Sequence, residues 1–334
     1  MKQKIILDPA FRKLNEIFEP ADLDRLHSFA EVIWGRDEPM PAADFDQVKA
    51  DAFAIVTGRW RHGDVKSMPK LRAILEVGGR HPSPKDLDYP TCFARNIRVL
   101  SCAPAFGPMV AEMALGMAIA ASRQIVRNHV VFSQGQEKWL HAGNIDTFTL
   151  YGQTVGFIGF GGLARCLKPL LAPFGCPILA YDPWLPPTYL ANQGVTPVDL
   201  HTLLEMSKVL FVLAIPSAEN KALLDHAHLS RIQQGAVFVL ISRSHVVDFD
   251  ALTALVTAGR FRAAIDVFPQ EPLPLDHPIR QAPNVILSAH LAGSVPKDLH
   301  NIGRMVVDDL EAMIAGLPPL AMQVAQPEIV YRLD

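Results

Sequence analysis

The sequence has little net charge, few cysteines and no long uninterrupted run of apolar residues. Its 34 acidic and 31 basic residues leave a formal net charge of −3 in a chain of 334 residues. Because no excess of lysine and arginine is present to neutralise phosphates, we expect no nucleic-acid partner. An anionic ligand must then be bound by local geometry rather than by bulk charge, and a small acidic substrate is compatible with this composition.

The sparse cysteines suit a reducing compartment, since they form no Cys-x-x-Cys pair. We interpret all of them as buried small apolar residues: Cys92, Cys102, Cys166 and Cys176. The N-terminal stretch lacks the apolar core of a secretory signal, so a cytoplasmic location is expected. The most apolar helical stretch, Met109 to Ala121, contains Glu112 and is shorter than the roughly 20 apolar residues that cross a bilayer. No membrane span is therefore predicted.

An apolar fraction of 49% excludes intrinsic disorder, and the length exceeds what one hydrophobic core usually fills. We therefore expect two domains. From about residue 154, runs of consecutive apolar residues alternate with helix-length segments, a pattern typical of strands covered on both faces. The runs span residues 154–158, 177–181, 209–214, 236–241, 263–266 and 284–287. They predict a doubly wound parallel α/β sheet, with Asp199 and either Asp248 or Asp250 as helix N-caps.

The first hundred residues predict a second, smaller α/β domain. Its strands are expected at residues 4–7, 52–57, 71–76 and 97–101. A long helix from Pro108 to about Arg127, with proline at the favoured first position, would link the domains. A last amphipathic helix, from about residue 297 to 315, could return to the smaller one.

A glycine-rich turn follows the first strand of the larger domain. Gly159, Phe160, Gly161, Gly162, Leu163 and Ala164 match the pattern G-x-G-x-x-G/A and open a helical segment that runs to about Phe174. In a dinucleotide site the glycines permit a tight turn and close approach of a pyrophosphate, and the helix N-terminus binds the phosphates. By itself the pattern also fits an ordinary strand-to-helix turn. Pro169 lies inside this helix, so we expect a kink or an early end there.

Asp182 ends the next apolar run and strengthens the interpretation as a dinucleotide site. A carboxylate at this position can accept hydrogen bonds from both ribose hydroxyls and would repel a 2′-phosphate. The sequence therefore predicts NAD rather than NADP as the cofactor.

Three polar residues follow strands of the larger sheet, at the edge where ligands bind in such folds: Arg243, Glu271 and His290. His290 could exchange the proton of an alcohol, and Glu271 could hold its second ring nitrogen. Arg243 offers a planar fork for a substrate carboxylate. The alternatives are a surface ion pair for the arginine and the acid, and a capping role for the histidine.

Five segments occur in an order that is specific as a set. They are Val110-Ala111-Glu112, residues 152–161, Ser242-Arg243 ahead of Val246-Val247-Asp248, residues 266–272, and residues 284–293. From about Ala52 to Gly316 the chain resembles the D-isomer-specific 2-hydroxyacid dehydrogenase family. The resemblance implies NAD-dependent hydride transfer between a D-2-hydroxy acid and its 2-oxo acid, with Arg243 binding substrate and Glu271 paired with His290 as the acid/base.

The resemblance also implies further site residues and a discontinuous domain order. Substrate-carboxylate contacts would come from Val77, Gly78 and Gly79, and further cofactor contacts from Ile215, Pro216, Ser242, Asp266, His290 and Gly293. A Rossmann-type cofactor domain, residues 107–295, would be inserted in a flavodoxin-like substrate domain made of residues 1–106 and 296–334. The family also implies a hinge between the domains and a homodimer formed through the linking helix.

Two departures from the family pattern affect the substrate side. Ser244-His245 follows the arginine where glycine is common, and Arg80-His81 follows the glycine pair. Arg80 and His81 could read an additional anionic group, or form a solvated basic loop. An alternative function is an NAD(H)-sensing partner protein, as in corepressors on this scaffold. A metal hydrolase is a distant third, because His226-x-His228 is the only close histidine pair and has no acidic motif at ligand spacing; no metal site is expected.

Overall fold

The structure, a computed structural model, describes residues 2–332 and consists of two compact units. Unit 1 runs to Gly107 and resumes at Ser294, and unit 2 is Pro108–Gly293. The expected domains had their junctions after residues 106 and 295. Residues 1, 333 and 334 of those expected domains lie outside the described part of the chain.

The strands are short and mostly buried. In chain order they are β1 (Gln3–Asp8), β2 (Ala30–Trp34), β3 (Ala52–Thr57), β4 (Ala73–Glu76), β5 (Arg98–Ser101), β6 (Val155–Ile158), β7 (Ile178–Tyr181), β8 (Thr196–Pro197), β9 (Val209–Val212), β10 (Val237–Leu240), β11 (Arg262–Ile265), β12 (Val285–Leu287) and β13 (Gln323–Val324).

The α-helices alternate with these strands. In chain order they are α1 (Leu14–Ile17), α2 (Pro20–Phe29), α3 (Ala42–Val48), α4 (Tyr89–Ala94), α5 (Ala103–Ser122), α6 (Ile125–Ser133), α7 (Gly162–Leu171), α8 (Pro187–Asn192), α9 (Leu200–Met206), α10 (His226–Leu229), α11 (Phe249–Thr257), α12 (His300–Ile314) and α13 (Pro327–Val330). Short 3₁₀ turns lie at Lys49–Asp51, Val65–Ser67, Leu140–Gly143, Ala172–Phe174, Ala218–Asn220, Ser244–Val246 and Pro278–Gln281.

Unit 2 contains the predicted doubly wound sheet, which is confirmed. Its order is β12-β11-β10-β9-β6-β7-β8, and every pairing is parallel. Strands β6, β9, β10 and β11 are buried along their whole length, because helices cover both faces of the sheet. The strand order reverses between β6 and β9, which makes this the point where ligands bind in doubly wound sheets.

Unit 1 contains a separate sheet in the order β13-β5-β4-β3-β1-β2. Strands β2-β1-β3-β4-β5 are parallel and follow the flavodoxin order, and β13 adds an antiparallel edge. Strands β2, β8 and β13, all of which lie at sheet edges, were not predicted. Edge strands need no continuous apolar run, and β8 and β13 have two residues each.

The linking helix differs from its prediction. Helix α5 begins at Ala103, whose N–H is hydrogen-bonded to Ser101 Oγ at 3.2 Å, so Pro108 lies inside the helix and not at its first position. The helix ends at Ser122 because Gln124 adopts φ +53° and starts α6 in a new direction. The expectation that this helix is too short for a bilayer is therefore wrong. Its 20 residues are long and apolar enough to cross a membrane, although half of its apolar window is buried, as is common in core helices.

Other local predictions have mixed outcomes. Asp199 and Asp248 cap α9 and α11 by accepting N–H groups of Thr202 and Ala251 at 2.9 and 3.0 Å, so both N-caps are confirmed and Asp250 is excluded. Helix α7 ends at Leu171, two residues after Pro169, and a 3₁₀ turn completes the segment to Phe174. Two cysteines are fully buried as expected, but Cys166 and Cys176 are only partly so.

Candidate functional site

The turn between β6 and α7 is built for close backbone approach. Gly159 adopts φ +92°, and a Cβ there would lie 2.8 Å from the backbone of Ala214 on the neighbouring loop, so only glycine fits. In contrast, a Cβ on Gly161 or Gly162 would meet nothing within 4 Å. The N-terminus of α7 therefore faces open space, where its N–H groups and dipole can bind an anion. Ala164 is fully buried, which lets the helix pack closely on the strand.

Asp182 follows β7 and is tied directly to this turn. Its Oδ2 accepts the N–H of Phe160 at 2.8 Å, and its Oδ1 accepts the N–H of Trp184 at 2.9 Å. Each carboxylate oxygen can accept a further hydrogen bond, so the group remains able to bind hydroxyls. An open pocket of about 280 Å³ adjoins it. The pocket is lined mainly by apolar side chains, among them Tyr181, Leu185, Pro187, Leu190 and Val198. A purine could pack there while its ribose reaches the acid, so these residues fit a dinucleotide.

The other expected cofactor contacts lie at the carboxyl edge of the same sheet. Ile215 is 48% exposed and, with Pro216, follows β9. Ser242 follows β10 and donates its hydroxyl to Ala214 O at 3.0 Å, which joins two strand-end loops. Leu163 lies in the first turn of α7 and Gly293 is the last residue of unit 2.

The structure brings the three expected catalytic residues together in unit 2. His290 Nδ1 lies 2.7 Å from Glu271 Oε2, and the other oxygen of Glu271 accepts the N–H of Phe268 at 3.0 Å. Burial alone would raise the pKa of Glu271. The hydrogen bonds from His290 and Phe268, with the charges of His290 and Arg243, outweigh burial and lower that pKa. Arg243 is exposed and within electrostatic range of Glu271, and its Nη1 donates to Ser242 O at 2.6 Å.

Asp266 has a role that sequence analysis missed. The residue is fully buried, and its two carboxylate oxygens accept the N–H groups of Leu291 and Ala292 at 2.9 and 3.1 Å. It therefore fixes the loop that carries His290, whose own backbone has φ +57°, a left-handed conformation that costs a non-glycine residue roughly 1–2 kcal/mol. The sequence signal that could have revealed this role is the position of the acid directly after a buried strand.

The expected substrate loop lies in unit 1 and is organised around a buried acid. Glu76 Oε2 accepts the N–H groups of Gly79 and Arg80, both at 3.0 Å. Burial raises the pKa of Glu76 to about 7, although hydrogen bonds from Arg80, Gly78 and Gly79 oppose the shift. The amides expected to face a substrate carboxylate are thus partly engaged by the chain's own carboxylate. Val77 is fully buried and donates its N–H to Thr57 O at 2.9 Å.

The side chains of two histidines in the departing segments contact backbone carbonyl oxygens. His81 is 9% exposed and lies 2.9 Å from Gln323 O on β13, so it is a buried structural contact and not a surface group for an anion. His245 Nε2 lies 2.9 Å from Ser217 O on the loop after β9. His228 pairs with Asp225 at 2.8 Å, and within residues 2–332 no group of three or more His, Cys, Asp or Glu residues could hold a metal ion.

Comparisons with known proteins show which family the chain belongs to. The family model described as D-isomer specific 2-hydroxyacid dehydrogenase, NAD binding domain, matches residues 115–292, more than half of the chain. The chain belongs to the D-isomer specific 2-hydroxyacid dehydrogenase family. The matched region covers most of unit 2, including Gly159, Arg243, Glu271 and His290.

Members of this family with similar sequences have several names. The chain is 30% identical to a glyoxylate reductase of Thermofilum pendens over 76% of this chain and 75% of that protein. It is 28% identical to a D-3-phosphoglycerate dehydrogenase of Mycobacterium bovis over 89% of this chain. That match spans only 55% of the mycobacterial protein, so the chain covers about half the length of such relatives. A phosphoglycerate oxidoreductase structure from Rhizobium etli superposes with a TM-score of 0.85 at 36% identity, covering 97% and 99% of the two chains.

The contact between His290 and Glu271 predicts a measurable titration. In His290→Ala, we expect the pKa of Glu271 to rise, because the variant loses a hydrogen bond and a positive charge that favour the carboxylate. In the wild type, the lowered pKa stabilises the folded state above the unfolded-state pKa of Glu271, and that stability is lost as pH falls through the folded-state value. ¹³C NMR titration of labelled glutamates, assigned with Glu271→Gln, measures the shift.

The matched control for this titration is His228→Ala. It removes another histidine of unit 2 that pairs with an acid, Asp225. The pKa of Glu271 should not change in the control. If the pKa of Glu271 also stayed unchanged in His290→Ala, His290 would not be what lowers it.

Proposed function

We propose that the protein is an NAD-dependent oxidoreductase that interconverts a D-2-hydroxy acid and its 2-oxo acid. The observation that carries this proposal is the 2.7 Å contact of His290 Nδ1 with Glu271, within electrostatic range of Arg243. These groups share a sheet edge with a turn that fits a dinucleotide. The presence of Arg243, Glu271 and His290 together favours an enzyme over an NAD(H)-sensing partner protein.

The proton chemistry follows from the histidine's two nitrogens. An ionised carboxylate only accepts hydrogen bonds, so Glu271 holds a proton on Nδ1 and leaves Nε2 for the substrate. In reduction, Nε2 of the imidazolium donates its proton to the carbonyl oxygen as that oxygen gains negative charge. In oxidation, neutral Nε2 accepts the hydroxyl proton. A nicotinamide cofactor, when bound, would supply the hydride in reduction and accept it in oxidation.

Arg243 serves the other end of the reacting group. Its guanidinium can pair with a substrate carboxylate through two parallel hydrogen bonds, which fixes the carbonyl carbon in one orientation. The same positive charge stabilises negative charge that develops on the carbonyl oxygen. The acid next to His290 keeps the ring oriented between turnovers.

Replacement of His290 by Asn should abolish turnover and spare NAD binding. We expect kcat for the reduction of 2-oxo acids such as glyoxylate and hydroxypyruvate to fall by about 10²–10⁴-fold, because Asn cannot transfer the proton. Arg243→Ala should raise KM for the acid and also lower kcat. NADH oxidation followed at 340 nm, with NADH binding by fluorescence titration, measures both. Wild-type rates in His290→Asn would remove this residue from the mechanism, and His228→Asn is the control.

We further propose that NAD is preferred over NADP, on the basis of the Asp182 carboxylate. A 2′-phosphate placed beside this charge would be repelled, whereas a ribose hydroxyl can donate to it. Asp182→Asn keeps the side-chain size and removes the charge. The ratio of kcat/KM for NADH over NADPH should exceed one in the wild type and fall by about tenfold in the variant. A wild type that uses NADPH better would refute the preference; Asp250→Asn, at an exposed acid of α11 that does not line the pocket, is the control.

A homodimer is proposed from an exposed apolar surface in unit 2, here called the α6 surface. Its members belong to α6 and the segment that follows: Ile125, Val126, Val130, Phe132, Trp139, Leu140 and Ile145. Their exposed fractions range from 46% for Val126 to 89% for Leu140, and the rings of Phe132 and Trp139 are in edge contact at 6.2 Å. Exposed apolar side chains concentrated in one segment of a folded chain are typical of an interface. A second copy of the chain is the occupant that continuity with the linking helix favours.

Light scattering coupled to gel filtration tests this assembly. The wild type should elute at twice the 36.7 kDa mass of the chain, and Trp139→Asp with Leu140→Asp should elute at one chain mass. The control, Leu275→Asp, places a charge on a 90% exposed leucine elsewhere in unit 2 and should remain dimeric. A wild type that elutes at one chain mass contradicts the proposal.

A further inference from the structure

The side chains of Trp184 and Glu219 join two loops at the carboxyl edge of the unit 2 sheet. Trp184 lies on the loop after β7, and Glu219 lies in the 3₁₀ turn on the loop after β9. The indole Nε1 of Trp184 donates a hydrogen bond to Glu219 Oε2 at 3.0 Å. Strand β6 lies between β9 and β7, so this hydrogen bond connects loops on opposite sides of β6. Because neighbouring strands lie about 4.8 Å apart, the two side chains bridge strand ends that are about 10 Å apart.

The same two loops are also joined to the glycine-rich turn that follows β6 and lies between them. On one side, Asp182 of the loop after β7 accepts the N–H of Phe160 at 2.8 Å. On the other side, a Cβ on Gly159 would lie 2.8 Å from the backbone of Ala214, so the turn closely approaches the loop after β9. Together with the hydrogen bond between the indole and the carboxylate, these contacts form a closed ring made of the turn and the two loops.

A dinucleotide bound at this edge has to pass through the ring. Helix α7 starts at the turn, and a Cβ on Gly161 or Gly162 would meet nothing within 4 Å, which leaves room for a pyrophosphate at the helix N-terminus. A dinucleotide lies across the point where the strand order reverses. The pocket beside Asp182 is on the β7 side of that point, and Ile215 is on the β9 side. The hydrogen bond that closes the ring therefore stands in the path between the two ends of the ligand.

The charge of Glu219 indicates that this hydrogen bond breaks when a dinucleotide binds. A pyrophosphate is a dianion, and a carboxylate held beside it would be repelled. The Glu219 side chain is exposed, so water can solvate it after it turns away. The loop that carries it is fixed, because Asn220 Oδ1 accepts the N–H of Ser217 at 2.9 Å and Asn220 Nδ2 donates to Ile215 O at 2.7 Å. Opening of the ring therefore requires side-chain rotation and no movement of the loop.

We propose that the hydrogen bond between Trp184 and Glu219 is a gate that closes the empty cofactor site and must break before NAD(H) enters. This inference rests on the proposed function, because it takes the turn after β6 as the cofactor site. NADH then binds only to the fraction of molecules in which the gate is open. Loss of the gate increases that fraction, so both the association rate constant and the affinity for NADH increase.

Stopped-flow measurement of NADH binding tests the gate without any turnover. Trp184→Phe keeps an aromatic ring, removes the N–H donor and leaves the charge of Glu219 in place. In this variant the association rate constant should rise about three- to tenfold, while the dissociation rate constant stays within about twofold of the wild type. Binding is followed by NADH emission under direct excitation, so the lost indole does not change the signal. An unchanged association rate constant, or an equal rise in both rate constants, overturns the gate.

A second variant separates the hydrogen bond from the charge. Glu219→Ala removes the acceptor and also a negative charge, so it should accelerate association at least as much as Trp184→Phe. If both variants break the same hydrogen bond, their effects are not additive, and the double variant should bind NADH no faster than Glu219→Ala. Acceleration by Glu219→Ala alone, or additive effects in the double variant, overturns the gate.

The matched controls remove similar groups that lie away from the turn. Trp34→Phe removes an indole N–H that donates to Glu38 O at 2.7 Å in unit 1. Glu205→Ala removes a carboxylate of α9 that pairs with Arg231 in unit 2. NADH association should not change in either control, and a rise equal to that of Trp184→Phe would count against the gate.

The gate and the proposed function can fail separately. If neither the wild type nor the variants bind NADH, both fail. If the variants accelerate NADH binding but no 2-oxo acid is reduced, the gate stands and the proposed function fails. If 2-oxo acids are reduced and Trp184→Phe binds NADH like the wild type, only the gate fails.

Discussion

The buried carboxylate of Asp266 is the contact on which the site of unit 2 depends. It lies at the end of β11 and accepts two backbone N–H groups from the loop after β12. A buried carboxyl group without hydrogen-bond partners would be costly, so the loop and Asp266 require each other. The loop in turn holds His290 in a left-handed conformation and directs its Nδ1 to Glu271. The position of His290 is thus set by a buried residue on the neighbouring strand end.

In both units, glycines let the loops at the strand ends come into direct backbone contact. In unit 2, Gly159 allows the β6 turn to reach the loop after β9, and in unit 1, Gly58 and Gly78 allow three strand-end loops to touch. A side chain at any of these positions would overlap a neighbouring backbone atom. In each unit the result is a carboxyl edge where polar groups from several strands are brought together. In unit 2 these groups include His290 and Glu271, and in unit 1 they include Arg12 and Arg59, which stack on Phe11.

Much of the fold was predictable because buried parallel strands need consecutive apolar residues. The six expected strands of the larger sheet are all present within a few residues, and capping acids marked the starts of α9 and α11. The edge strands β2, β8 and β13 were missed because they are short or half-exposed and lack that pattern. The linking helix began five residues earlier than expected, at Ala103 and not at Pro108, because capping from Ser101 outweighed the preference of proline for a first turn.

The sequence alone determined the class of sheet and the glycine-rich turn, and it singled out Arg243, Glu271 and His290 as candidate site residues, because these depend on residue type and order along the chain. Only the tertiary structure decided what those residues contact. It joined His290 to Glu271, separated in sequence by 19 positions. It placed His81 and His245 against backbone carbonyl oxygens. It also placed the Asp266 carboxylate where it accepts the N–H of Leu291. The physical reason is that side-chain partners come from different strand ends, and their meeting depends on strand order, which local patterns do not encode.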